Sequence, residues 1–144
     1  MIKLKNKYIL FFIAVVALLW MLTDALSQPG IKDLKGNFKE VKFIRNEQNT
    51  GPVIRLYVVS VKDTLWDEME TYGNYMPYNK YGTTRIYFFR EGSIMPDSLF
   101  LEAGNFPEKY KPYCIGVYQK DAMSQVNLIK HPGDAGSLKE SLSY

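Results

Sequence analysis

The chain contains one cysteine, Cys114, and one histidine, His131. A single cysteine cannot form an internal disulfide, and the apolar run Tyr-Cys-Ile-Gly-Val around it predicts a buried side chain rather than a reactive thiol. A zinc or iron site would have to consist mostly of carboxylates, and no matching spacing occurs. We therefore expect no metal site and no cofactor.

Catalytic motifs are also missing from the sequence. A Ser-His-Asp or Cys-His arrangement would have to use His131, which follows the last predicted strand and should be solvated. There is no nucleophile elbow, no phosphate-binding loop and no dinucleotide fingerprint. Asp63, Asp67, Glu68 and Glu70 crowd the start of a predicted helix, where capping and the helix dipole explain them. We predict a non-catalytic protein without catalytic, cofactor-binding or metal-binding residues, and we rank a hydrolase last.

After the N-terminal lysines, no stretch of the chain carries a strong excess of one charge sign. The formal net charge is +3. Leaving out Lys3, Lys5, Lys7 and Asp24 reduces 18 basic and 15 acidic residues to 15 and 14, a net charge of +1. A nearly neutral domain without a basic stripe argues against nucleic acid as a partner.

One long hydrophobic run is present, Tyr8–Leu22, with fifteen apolar residues and no charge. Three lysines precede it, and the first acidic residue follows at Asp24. This arrangement is typical of a segment that enters a membrane with its N-terminus on the cytoplasmic side. Extended to Leu26, the helix would span about 28 Å, close to the hydrocarbon thickness of a bilayer.

The run has two interpretations. We predict a single-pass signal-anchor, because of its reach and because Ser27 is a weaker residue than alanine before a cleavage site. The alternative is a signal peptide that is cleaved near Ser27, which would release a secreted domain beginning at Gln28. In both cases the domain lies outside the cytoplasm, in the periplasm or the extracellular space.

The predicted organisation is one extracytoplasmic domain behind a membrane segment. The segments are a basic cytoplasmic N-terminus (1–7), a transmembrane helix or signal sequence (8–26), a tether (27–36), an α+β domain (37–131) and a disordered tail (132–144). The tail is rich in glycine, serine and charge, which is typical of disorder.

Alternating and β-branched apolar residues predict strands in the domain. The predicted strands cover residues 38–45, 53–61, 83–90, 113–119 and 125–130, with 95–101 as an ambiguous sixth. The last two are expected to form an antiparallel hairpin, and residues 53–90 to form a β-α-β unit. The fold class is therefore α+β, with a mixed or mainly antiparallel sheet of about five strands and one short helix.

The helix is predicted between two local signals. Thr64 is the expected N-cap, in a variant of the capping box, and Gly73 is the expected C-terminal stop. Between them, Leu65, Met69 and Tyr72 follow the spacing of a buried helical stripe.

Tyrosines recur at every third position after this helix, at Tyr72, Tyr75, Tyr78 and Tyr81. Pro77 interrupts any continuous helix, so the four rings cannot form one helical stripe. Packing over the sheet explains at least some of these rings. We expect a structural role for Tyr72, which ends the buried helical stripe, and for Tyr81, which precedes the next strand. Tyr75 and Tyr78, which flank Pro77, are the candidate contacts for a partner or ligand.

These features predict a non-catalytic, membrane-anchored accessory or scaffold subunit of an envelope or membrane protein complex. Its contacts would be membrane lipid through residues 8–26 and a protein partner through the extracytoplasmic domain. The alternative is an exported ligand-binding module that recognises a glycan or a peptide through the Tyr-rich loop. Tyrosine is enriched at both kinds of surface.

Overall fold

The computed structural model describes residues 2–47 and 51–133. The chain forms two compact units, of which the first ends at Gly30 and the second begins at Ile31. The predicted disordered tail lies outside the described residues, apart from its first two positions.

The first unit is a single helix, α1, at Ile2–Leu26. An 18-residue window within its stretch Lys5–Leu26 has a mean hydropathy of 2.5, and none of that window is buried. By length and composition this helix suits either a membrane span or a signal sequence. The predicted apolar N-terminal helix is thus confirmed, and no second helix of that kind occurs among residues 2–47 and 51–133.

The second unit contains a five-stranded mixed sheet, in which spatial order equals chain order. The strands are β1 (Lys39–Arg45), β2 (Ile54–Val61), β3 (Thr83–Arg90), β4 (Cys114–Lys120) and β5 (Val126–Lys130). β2 and β3 run parallel, and the remaining neighbours pair antiparallel. The predicted α+β class and the β4–β5 hairpin are confirmed. The ambiguous segment 95–101 forms no strand.

The connection between the parallel strands is helix α2, Trp66–Tyr75. A parallel pair requires a crossover that returns the chain to the starting edge, and α2 supplies it. The β-α-β unit predicted for residues 53–90 is therefore present.

The central strands β2, β3 and β4 are covered on both faces, whereas the edge strand β1 is largely exposed and β5 is only partly buried. Alternate strand residues point to opposite sides of the sheet. One face packs against α2 and forms the helix-side core: Tyr57, Val59, Val61, Met69, Tyr72, Ile86, Phe88 and Tyr118. The other packs against the segment between β3 and β4 and forms the loop-side core: Leu56, Val58, Tyr87, Phe89, Leu99, Phe106, Tyr110, Cys114 and Val117.

The predicted N-terminal cap of α2 is wrong. Leu65 occupies the N-cap position, and no side chain caps the helix there. The Thr64 hydroxyl instead accepts a hydrogen bond from Arg90 Nη2 at 3.3 Å. Leu65 itself is exposed, so of the predicted stripe Leu65, Met69 and Tyr72 only the last two are buried.

The predicted stop at Gly73 is also wrong, because the helix continues to Tyr75. A Cβ on Gly73 would lie 2.4 Å from ring atoms of Tyr118 in β4. This glycine therefore allows a close helix–sheet contact rather than a left-handed helix end. The helix ends just before Pro77, which has no amide hydrogen to continue it.

Residues 31–36, within the predicted tether, pack on the domain. Ile31 and Leu34 contact the helix-side core. Gly36 donates its backbone N–H to Glu68 Oε2 at 2.8 Å, and its carbonyl accepts from the Lys62 amide at 2.8 Å. Glu68 thus has a structural partner.

Candidate functional site

The Tyr-rich stretch lies at the end of α2 and in the loop that follows it, which we call the α2–β3 loop (residues 76–82). Tyr72 belongs to the helix-side core, as expected. Tyr75 is the last residue of α2 rather than part of the loop, because the helix continues past Gly73. Its side chain is 41% exposed.

Tyr78 is half-buried and holds the loop in place. Its hydroxyl donates to the Asp121 carbonyl at 2.8 Å and accepts from Ser124 Oγ at 3.1 Å. Lys120 Nζ lies 4.4 Å from the ring centroid, in a cation–π contact. The ring and its hydroxyl are therefore engaged with the β4–β5 turn.

Further hydrogen bonds fix the same loop to the sheet. The Thr84 hydroxyl donates to the Pro77 carbonyl at 3.1 Å, and Arg55 Nη1 donates to Asn79 Oδ1. A Cβ on Gly82 would lie 2.5 Å from the Val53 carbonyl oxygen, so the loop approaches β2 closely at its end. Contacts with β2, β3 and the β4–β5 turn leave the loop little conformational freedom.

Tyr81 is 61% exposed, which differs from its expected structural role. It precedes β3, which begins at Thr83, and its φ of 64° lies in the left-handed region. Lys80 Nζ stacks over its ring at 5.1 Å. Two exposed rings thus lie at this loop: Tyr75, directly before it, and Tyr81, near its end. The pair predicted from the sequence is Tyr75 and Tyr78.

The other residues considered from the sequence lie apart from this surface. His131 is exposed, and its ring packs edge-on against Trp66 at 5.3 Å. Cys114 is buried, as predicted, and burial raises the pKa of its thiol to about 12, so the thiolate is scarce at neutral pH. Within residues 2–47 and 51–133, no three His, Cys, Asp or Glu side chains group as metal ligands would.

A cavity of about 400 Å³ lies on the loop-side face of the sheet. Residues 101–106 form one wall, and side chains of β3, β4 and β5 form the opposite wall. Most of the lining is apolar, including Leu101, Phe106, Val117 and Ile129. Volume and lining are typical of small-molecule sites.

Arg85 brings a positive charge into this cavity from the middle of β3. The side chain is half-buried, and its Nε donates to Gln119 Oε1 at 3.1 Å. Its Nη1 donates to Asn105 Oδ1 at 2.8 Å. Both acceptors are neutral amide oxygens, so they orient the guanidinium without neutralising it.

Asn105 supports Arg85 from the opposite wall. It is only 6% exposed, and its Nδ2 donates to the carbonyls of Phe100 at 3.0 Å and Glu102 at 3.1 Å. Its Oδ1 also accepts from the buried Tyr87 hydroxyl. The backbone φ of 52° is left-handed, which asparagine tolerates better than most residues. One buried amide therefore links the loop wall to the sheet wall.

Of the other ionisable side chains that line the cavity, Glu102 lies on the exposed wall, Lys111 is paired and Tyr87 is neutral. Lys111 Nζ forms an ion pair with Glu108 at 2.9 Å. Burial raises the pKa of Tyr87, an effect that the nearby Arg85 partly opposes, so the phenol stays protonated at neutral pH. Sequence reasoning missed this site, although one signal was available: Arg85 interrupts the apolar run of β3 on a face that is otherwise buried.

Comparisons of the chain with protein-family models, with curated proteins and with solved structures found no match. The candidate surfaces therefore rest on the geometry of this chain alone.

Proposed function

We propose that the protein is a non-catalytic, membrane-anchored accessory or scaffold subunit of an envelope or membrane protein complex. Its domain lies outside the cytoplasm and binds a partner protein. The observation that carries the proposal is a rigid loop with two exposed tyrosines, Tyr75 directly before it and Tyr81 near its end, in a chain that also has an apolar helix of spanning length.

The anchor is supported by the surface of α1. The side chains of the stretch Lys5–Leu26 are exposed. Leaving so much apolar surface in water is unfavourable by roughly 25 cal/mol per Å², which favours a lipid environment for the helix. The lysines before it favour a cytoplasmic N-terminus.

We expect the helix to remain on the mature protein. Intact-mass measurement of the protein purified from its own membrane should give the mass of a chain that includes α1. The mass of a chain that begins at Gln28 would contradict the anchor and favour the secreted form. A chain carrying Ser27→Leu serves as the matched control, because leucine at this position blocks signal cleavage.

The partner surface is supported by the rigidity of the α2–β3 loop. Tyr78 and Pro77 are held by bonds to the β4–β5 turn and to Thr84, so Tyr75 and Tyr81 project from a fixed backbone. A preorganised aromatic loses little entropy on binding, and such anchors are enriched among the residues that dominate binding energy. Tyr78 acts here as a positioning residue.

Photo-crosslinking tests this surface in the native membrane. A photoreactive aromatic residue in place of Tyr75 or Tyr81 should yield an adduct of one defined size with the partner. Tyr113 provides the matched control, because it is also 41% exposed but lies at the end of the segment between β3 and β4. A photoreactive residue at this position should yield no such adduct.

Two further variants sharpen the result. Tyr75→Ser with Tyr81→Ser should lower the amount of partner recovered in mild detergent by roughly tenfold or more, since two aromatic anchors are lost. Tyr78→Phe keeps the ring but removes the hydroxyl that holds the loop, so it should lower recovery less than the double variant does. Equal adducts from all three crosslinking positions, or unchanged recovery from the folded double variant, would contradict the proposed surface.

A ligand-binding module is the second candidate function, and the cavity beside Arg85 favours it. From the sequence, glycan or peptide recognition is expected at the Tyr-rich loop. A concave, largely apolar cavity with a few convergent polar groups is a better place for a small ligand.

A further inference from the structure

The cavity on the loop-side face holds a cation whose hydrogen-bonding capacity is not used up. A guanidinium has five N–H donors, and those of Arg85 that bond Gln119 and Asn105 leave others available. The amide oxygens of Gln119 and of the buried Asn105 hold the group in one orientation. A ligand that pairs with it therefore meets a preorganised partner.

The charge of Arg85 is also unbalanced inside the described structure. Across residues 2–47 and 51–133, no carboxylate lies within ion-pair distance of it. A half-buried cation without a counter-ion favours an incoming anion, because desolvation strengthens the attraction between opposite charges. The planar group accepts a carboxylate through two parallel N–H···O bonds.

The rest of the lining limits the ligand further. Glu102 belongs to the exposed wall of the cavity and would repel a second negative charge. Lys111 is partly exposed and forms a surface ion pair with Glu108, so water screens its attraction for a phosphate. The apolar residues Leu101, Val117 and Ile129 suit a hydrocarbon or aromatic body.

We propose that this cavity binds a small organic monocarboxylate with an apolar or aromatic body, whose carboxylate pairs with Arg85. The site lies on the sheet face opposite α2, and it does not depend on the partner surface of the α2–β3 loop. Ligand binding and partner binding can therefore succeed or fail separately.

Three probes with one body and different head groups test the charge requirement: phenylbutyrate, phenylbutanol and phenylbutylamine. The full chain in lipid nanodiscs is observed by methyl NMR. We expect phenylbutyrate to shift the methyl signals of Val117 and Ile129 in a saturable manner, while Val59 in the helix-side core does not move. Phenylbutanol should bind at least tenfold more weakly, and phenylbutylamine should not bind.

Two arginines of the same strand give the matched variants. Arg85→Gln should weaken phenylbutyrate binding tenfold or more, whereas Arg90→Gln, at the exposed end of β3, should leave it unchanged. If Arg85→Gln does not fold, Leu101→Glu replaces it, because it keeps Arg85 and its amide partners and adds a repelling charge to the lining. That variant should abolish binding.

Several results would overturn the assignment. One is equal binding of the acid, the alcohol and the amine, which would mean unspecific partition into an apolar space. Another is phenylbutyrate binding that persists in folded Arg85→Gln or in Leu101→Glu. A third is the lack of any saturable shift of the Val117 and Ile129 methyls up to the solubility limit of the acid.

Discussion

Replacing Tyr118 by alanine is expected to lower the free energy of unfolding by about 3–5 kcal/mol, as for other large-to-small changes of core aromatics. Tyr118 is fully buried in β4, and its ring lies against Gly73 of α2. Its hydroxyl donates to Asn74 Oδ1 at 2.9 Å. The space left by the ring would remain empty, because Gly73 has no side chain that could fill it.

Denaturation by urea, followed by near-ultraviolet circular dichroism of the full chain in detergent, measures this loss. Tyr118→Phe removes the hydroxyl alone and should cost about 1 kcal/mol. Tyr113→Ala changes an exposed ring just before the same strand and should stay within about 0.5 kcal/mol. If the unfolding midpoints of Tyr118→Ala and Tyr113→Ala coincide, the contact between α2 and β4 does not stabilise the domain as described.

Replacing Asn105 by alanine is expected to cost about 2–4 kcal/mol. The buried Tyr87 hydroxyl would lose its acceptor, and an unsatisfied buried polar group costs about 1–3 kcal/mol. Arg85 would lose one of its two fixed partners. Alanine would also occupy a left-handed backbone conformation, which costs about 1–2 kcal/mol.

Two companion variants separate these contributions in the same denaturation experiment. Asn105→Gly removes the side chain but tolerates the positive φ, so it should be less destabilising than Asn105→Ala. In a Tyr87→Phe background the cost of Asn105→Ala should fall, because no orphaned hydroxyl remains. Additive losses for Tyr87→Phe and Asn105→Ala would show that the two side chains do not act together.

The sheet was predictable because each strand carries its own pattern. β2 is apolar on both faces, as a strand covered on both sides must be, and its neighbour β3 was predicted at its observed bounds, Thr83–Arg90. The helical crossover between them followed from their order in the chain. Such patterns predict the elements because apolar residues alternate along a half-buried strand but recur every three to four residues along a helix.

The ends of α2 were not predictable, because they depend on contacts distant in sequence. Gly73 resembles a helix stop when it is read locally, yet its position is set by Tyr118 in β4. Thr64 resembles a cap, but its hydroxyl bonds Arg90. Tertiary contacts outweigh local propensity at both positions.

The cavity could not be predicted from the sequence for a similar reason. Arg85 and Asn105 are joined by a hydrogen bond across 20 positions of sequence, and the wall that contains Asn105 has no regular secondary structure. Sequence patterns describe periodic elements, whereas this site depends on a loop that folds over a sheet.

The agreement between strand order and chain order has a kinetic consequence. A chain delivered from its N-terminus can add each strand to a neighbour that is already in place, and no strand must insert between two others. β1–β2 and β3–β4–β5 close by antiparallel pairing. The parallel β2–β3 pair must wait until the chain of α2 has been delivered, and its closure entropy rises only slowly with loop length. In such a sheet the unpaired backbone groups of the last strand formed pair with the next strand of the same chain. This shortens the time during which that edge can pair with another chain and aggregate.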